Sequence, residues 1–182
     1  MALTLLTGAA RSGKSAIAAR MALAHGGPVT FIATGEPRDE EMAERIARHR
    51  AERPPSWRTV EEPVRLEDAI ASAAPDAFVI VDCLTLWVSN LLEKGLDADN
   101  VAARAAEATK AAAARTPPVV VVTNEVGAGI VPMHPESRAY RDLMGRVNAI
   151  VAGGAERALL AVAGRVLRLD DPEEVIGDVS RR

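Results

Sequence analysis

Gly8-Ala9-Ala10-Arg11-Ser12-Gly13-Lys14-Ser15 follows the apolar run Leu3-Thr4-Leu5-Leu6 almost at the start of the chain. The string fits G-x-x-x-x-G-K-S/T, the phosphate-binding loop. Such a loop works between a buried strand and a helix, where backbone amides and the helix N-terminus converge on an anion. Both neighbours are legible: "LTLLT" reads as a short strand, and Lys14 to His25 as a helix. The spacing assigns Lys14 to the β- and γ-phosphates of a nucleoside triphosphate and the Ser15 hydroxyl to Mg2+.

Outward from the loop, short apolar runs recur at "VTFIAT" (29–34), "AFVIVD" (77–82), "VVVVT" (119–123) and "ALLAVAG" (158–164). Between them lie expected helices at about Asp39 to Arg53, Val64 to Ala74, Leu84 to Glu93, Ala98 to Arg115 and Pro135 to Ala152. Short continuous apolar runs alternating with helical segments mean an α/β fold: a mostly parallel central sheet flanked by helices. At 182 residues, the expectation is a single phosphate-loop nucleotide-binding domain spanning 1–182.

Charge and cysteine usage narrow the function. The formal net charge is −3 and the arginines are dispersed, so no basic field favours nucleic acid. One cysteine, Cys83, excludes an internal disulfide framework and suits a reducing compartment; its side chain reads as a small buried apolar group. No stretch reaches the ~18 uninterrupted apolar residues of a membrane span. Gly8, Arg11 and Lys14 also break up any secretory leader pattern, so a cytoplasmic protein is expected.

A phosphate loop settles the ligand class and not the reaction. A second metal carboxylate belongs at the end of another buried strand, where "FVIVD" offers Asp82; the same carboxylate also suits the N-cap of the helix beginning at Leu84. "TNEVG" (123–127) lacks the Lys and Asp of a guanine-reading N-K-x-D signature, which argues against a switch GTPase. In the helix closed by Pro54 and Pro55, Met42, Ile46 and His49 share one stripe, with Arg45 and Arg53 beside it, so His49 is expected to face the packed side. Leu86, Trp87 and Leu91 read as core, or alternatively as an oligomer interface.

Several strings together resemble one family: "TGAARSGKS", "IATGEPRDEEMAERIARHRAERPPSWRTVEEP", "DCLTLWVSNLL", and "VTNEVGAGIVP" followed by "YRDLMGRVN". They are similar to the bifunctional adenosylcobinamide kinase/adenosylcobinamide-phosphate guanylyltransferases of cobalamin biosynthesis, over about Leu3 to Asn148. One departure is Ala9, where family members often carry a second glycine.

The resemblance implies two reactions: phosphorylation of the aminopropanol hydroxyl of adenosylcobinamide by GTP or ATP, then transfer of GMP from GTP to that phosphate, giving adenosylcobinamide-GDP. It places the guanylyl carrier on His49, within "RIARHR", and a neutral imidazole is an available nucleophile at cellular pH. Arg45, Arg50 and Arg53 then stand where phosphate charge needs neutralising. His25, at a helix end, and His134, in a Pro-flanked loop, are second choices.

Nucleotide contacts implied by the resemblance are Gly8, Ala9, Ala10, Arg11, Ser12, Gly13, Lys14 and Ser15, then Ala33, Thr34 and Gly35, then Arg50, Ala51, Glu52 and Arg53, with Glu61 and Asp82. Asp82 serves either Mg2+ or a nucleoside group. "NEVGAGIVP" (124–132), Gly-rich after a strand, is a further candidate for corrinoid or nucleotide contacts. A homo-oligomer, a trimer by resemblance, is expected. Two other classes share the loop: a monofunctional small-molecule kinase, which has no use for His49 as a carrier, and a nucleotide-binding regulatory module.

Overall fold

A computed structural model describes residues 3–179; residues 1–2 and 180–182, the ends of the expected 1–182 domain, lie outside the described residues. In chain order the elements are β1 (Leu3–Gly8), α1 (Lys14–His25), β2 (Val29–Ala33), α2 (Glu40–Ala51), β3 (Arg58–Glu61), α3 (Leu66–Ser72), β4 (Phe78–Asp82), α4 (Leu84–Glu93), α5 (Ala98–Ala113), β5 (Val119–Val122), α6 (Pro135–Gly153), β6 (Arg157–Val162), β7 (Arg165–Leu169) and α7 (Pro172–Val179). The strands form one sheet in the order β3-β2-β4-β5-β1-β6-β7, parallel throughout except for β7, which returns antiparallel to β6.

The continuous apolar runs are explained by a sheet buried on both faces. Side chains alternate across it with period two. Leu3 and Leu5, Ile32, Val79 and Val81, and Val119 and Val121 enter one cluster with α3, α4, α5 and α6. Leu6, Val29 and Phe31, Phe78 and Ile80, and Val120 and Val122 enter the other, beneath α1. Trp87 and Leu91 are fully buried in the first cluster and so are core rather than an oligomer interface, while Leu86 is half-buried. Among the described residues, no helix is long and apolar enough to cross a membrane.

Two strands and a helix depart from the sequence expectation. β3 and β7 lie at the two edges of the sheet, and every residue of β7 is exposed, so neither carries the apolar run that marks a buried strand. The β6–β7 turn has positive φ at both Ala163 and Gly164, the backbone of a tight hairpin turn. α7 follows directly, with acidic residues Glu173 and Glu174 in its first turn. The expected helix at Val64 to Ala74 shortens to Leu66–Ser72, because Glu62 Oε1 accepts from the Val64 and Arg65 amides and holds that approach outside the helix.

Candidate active site

β1 delivers the phosphate loop to the carboxyl edge of the sheet, and α1 begins at its Lys14. Gly8 is required there twice over: its φ is +149°, and a Cβ would stand 2.4 Å from the Ala161 carbonyl oxygen of β6. Gly13 turns the chain into α1 at φ +96°. Ala9 is exposed and outside the positive-φ set, so its methyl group costs the loop nothing. The Lys14 ammonium curls back along the loop, donating to Gly8 O at 2.9 Å, Ala9 O at 2.6 Å and Ser12 Oγ at 3.3 Å. Burial lowers its pKa, opposed by the nearby Cys83 and Asp82.

Ser15 and Asp82 meet. Ser15 Oγ donates to Asp82 Oδ2 at 3.1 Å, tying the start of α1 to the end of β4 across 67 residues of sequence. A hydroxyl and a carboxylate side by side are the hard oxygen donors that Mg2+ takes when phosphate oxygens and water complete its shell. Asp82 is not the helix cap that its position also allowed: the residue at the N-cap of α4 is Cys83.

Thr34 locks the neighbouring strand end. Its hydroxyl donates to Cys83 O at 2.7 Å and accepts from Cys83 N at 2.9 Å, while its own carbonyl accepts from the buried Asn90 amide at 2.7 Å. Ala33 pairs with both Asp82 and Glu61, and Gly35 lies against Leu86 and Ile46. The Cys83 side chain packs against the α1-side core as expected, and burial pushes its thiol pKa up. Its backbone, gripped by Thr34, matters equally to the site.

Helix α2 packs shallowly. Asp39 caps it, accepting from Met42 N, yet none of its residues is fully buried. Met42, Ile46 and His49 are its only half-buried positions among residues 40–50, so the stripe exists but faces a shallow contact rather than the core. The His49 side chain keeps 38% of its surface exposed, with Nδ1 3.9 Å from Glu52 Oε2. Among the described residues, no hydrogen bond or ion pair links His49 to the phosphate loop.

The end of α2 is what reaches the site. The Arg53 guanidinium lies 3.7 Å over the Phe31 ring of β2. Burial lowers its pKa, and the Asp82 carboxylate opposes that shift. Arg50 Nη1 bonds Glu61 Oε1 at 3.1 Å at the end of β3. Thus the loop, Ser15, Asp82, Thr34 and Arg53 are gathered, Arg50, Glu61 and Glu52 lie on the β2–β3 side, and Arg45 and Ala51 are exposed on α2. His25 is spent against Phe78, ring centroids 5.5 Å apart, and His134 is the exposed N-cap residue of α6.

Sequence reasoning missed a polar scaffold on the other flank. Asn124 Nδ2 donates to Thr85 Oγ1 at 2.9 Å, Asn148 Nδ2 donates to Asn124 O at 3.1 Å, Thr123 Oγ1 donates to Asn148 Oδ1 at 2.7 Å, and the Tyr140 hydroxyl donates to Thr85 O at 2.8 Å. α4 and α6 thereby fix the tip of β5. The signal was available: Asn90 and Asn148 sit on otherwise apolar helix stripes, and a buried amide demands partners.

The family described as cobinamide kinase/cobinamide phosphate guanyltransferase matches residues 4–169. The bifunctional adenosylcobalamin biosynthesis protein CobP of Pseudomonas aeruginosa is 42% identical over 166 residues, covering 88% of this chain and 92% of the relative. The corresponding CobU protein of Escherichia coli is 41% identical over 173 residues, covering 88% and 95%. Among solved structures, a KaiC-like protein from Pyrococcus horikoshii superposes with a TM-score of 0.50 at 14% identity, covering 87% of this chain and 70% of that one, a likeness of fold alone.

Proposed function

The chain belongs to the cobinamide kinase/cobinamide phosphate guanyltransferase family, and from that premise we propose that this one site performs both reactions of cobalamin biosynthesis in turn. In the first, the phosphate loop holds GTP or ATP, with the Gly8–Ser15 amides and the α1 N-terminus around the phosphates and Lys14 on the outer two. Ser15 and Asp82 would hold Mg2+, which would supply charge neutralisation during phosphoryl transfer. The aminopropanol hydroxyl of adenosylcobinamide attacks the γ-phosphorus, and the nucleoside diphosphate leaves.

In the second reaction, a His49 imidazole nitrogen attacks the α-phosphorus of GTP and expels pyrophosphate. The corrinoid phosphate then displaces the histidine, giving adenosylcobinamide-GDP. Arg50, anchored by Glu61, and Arg53, over Phe31 and near Asp82, supply the positive charge that would neutralise the phosphates during transfer. The loop after β5 exposes Ile130, Val131 and Met133, apolar side chains suited to the rim of a large corrinoid ring.

The observation that carries this reading is the Ser15–Asp82 hydrogen bond, which supports it by bringing together, in a chain of this family, two oxygen donors that phosphoryl transfer would use. Incubation with Mg2+, GTP and adenosylcobinamide tests it: mass spectrometry should find corrinoid phosphate, then a GDP-linked corrinoid with released pyrophosphate. Phosphorylation without any GMP transfer would reduce the protein to a kinase, and nucleotide binding without either product would leave a regulatory module. A homotrimer in the cytoplasm is the setting we propose, with Leu23 of α1 and Val166 and Leu167 of β7 supplying exposed apolar surface for association.

A further inference from the structure

We propose that Glu125 is the general base of the kinase step, accepting the proton of the attacking corrinoid hydroxyl. This rests on the two-reaction reading above and adds a residue to it. β5 runs parallel beside β1, so both leave the sheet at the same edge. The Glu125 amide donates to Gly8 O at 3.1 Å, and the Lys14 ammonium donates to the same oxygen at 2.9 Å. The Glu125 backbone amide and the Lys14 ammonium therefore converge on one atom, which sets the backbone of Glu125 beside the phosphate loop.

The backbone there is fixed. Thr123 N donates to Leu6 O, and the Asn124 side chain and carbonyl are tied to Thr85 and Asn148. From this base the Glu125 side chain projects exposed. Its Oε1 accepts from Gly127 N at 2.7 Å, and among the described residues Oε2 has no hydrogen bond or ion pair. Gly127 makes room for that fold, since a Cβ there would lie 2.9 Å from Oε1.

Other carboxylates around the site are committed. Asp82 accepts from Ser15, Glu61 is paired with Arg50, and Glu52 lies beside His49. Glu125 alone of these stands on the β1–β5 side of the loop, where the apolar Ile130–Met133 segment follows. An alcohol is a poor nucleophile until its proton has somewhere to go. As the hydroxyl oxygen bonds to the γ-phosphorus and the bond to the β-phosphate oxygen breaks, the proton passes to Glu125 and afterwards to water. No other reactant is needed.

Guanylyl transfer does not need this base, because an imidazole nitrogen and a phosphate oxygen attack without losing an O–H proton of this kind. Glu125→Gln separates the roles: its amide oxygen still accepts from Gly127, and only the basicity is lost. Phosphorylation of adenosylcobinamide should fall by about 10²–10⁴ in kcat with little change in nucleotide KM. GMP transfer from GTP to adenosylcobinamide phosphate, supplied directly, should fall by at least ~tenfold less than phosphorylation does. Glu125→Ala should lose the same kinase rate and regain part of it with added formate.

Wild-type kinase turnover in Glu125→Gln would overturn the proposal, leaving Glu125 a turn residue. Equal losses in both reactions, or absence of formate rescue, would equally assign it a purely structural part. Wild-type protein assayed alongside locates a different failure: if it makes no corrinoid phosphate, the two-reaction reading falls, and this inference with it.

Discussion

Lys14 makes three hydrogen bonds within the loop, so its charge shapes the loop, and the proposed mechanism also sets it on the outer phosphates. Lys14→Ala should cut kinase turnover by at least ~100-fold and weaken triphosphate binding more than monophosphate binding. Calorimetry with GTP and GMP checks this; equal losses for both would remove Lys14 from the outer phosphates. Asp82→Asn keeps the hydrogen bond from Ser15 but deletes a charge, so the concentration of Mg2+ needed for half-maximal rate should rise by about tenfold or more. Unchanged Mg2+ dependence with weakened guanosine affinity would assign Asp82 to the nucleoside instead. These residues were legible because Gly, Lys and Ser at fixed spacing, and an Asp closing an apolar strand, carry their chemistry locally. Arg53 was named by resemblance, but its place over Phe31 and near Asp82 depends on how α2 ends against β2, which no local pattern encodes.

At the scale of elements, α2 buries none of its residues fully. Its Asp39 cap and its basic last turn hold it as a helix, while its packing is shallow. Substituting His49 should therefore leave stability within about 0.5 kcal/mol, so any functional loss reports on chemistry. GTP alone should label wild-type protein with one GMP through a phosphorus–nitrogen bond, lost in acid and persistent in alkali because ring protonation makes imidazole a good leaving group. His49→Ala should abolish the label and GMP transfer while retaining corrinoid phosphorylation. An acid-labile adduct persisting in that variant would move the carrier to another histidine. The stripe of Met42, Ile46 and His49 was readable from period alone; how shallowly it packs was not, since periodicity reports which side faces inward and says nothing of the depth beneath it.

Across the whole molecule, the legible elements are those the core needs. β1, β2, β4 and β5 announce themselves as apolar runs because both sheet faces are covered there, and β6 reads as one although only its Ala161 is buried, whereas β3 and β7 close the edges with partly or wholly exposed residues and leave no such trace. The polar scaffold was hidden for a related reason: Thr85, Tyr140 and Asn148 meet only once α4 and α6 are packed at the β5 tip. That scaffold ties global stability to a single proton. Tyr140 is the only tyrosine, and its hydroxyl donates to Thr85 O at 2.8 Å. Burial, with a smaller contribution from Cys83, raises its pKa from 10.0 to about 12. The folded state therefore holds this proton more tightly than the unfolded chain. Its contribution is fully present below pH ~10 and is lost as pH climbs through about 12, on the order of 1–2 kcal/mol once partial solvent exposure is discounted. Denaturant unfolding at a series of pH values from 9 to 12 should show wild type losing stability faster than Tyr140→Phe, with the two curves converging at the alkaline end. Absorbance at the phenolate band reads the same proton directly, because no second tyrosine competes. Parallel curves across the whole range, or a phenolate appearing near pH 10 in the folded protein, would show that the hydroxyl is open to solvent and that α6 is not held to α4 through it.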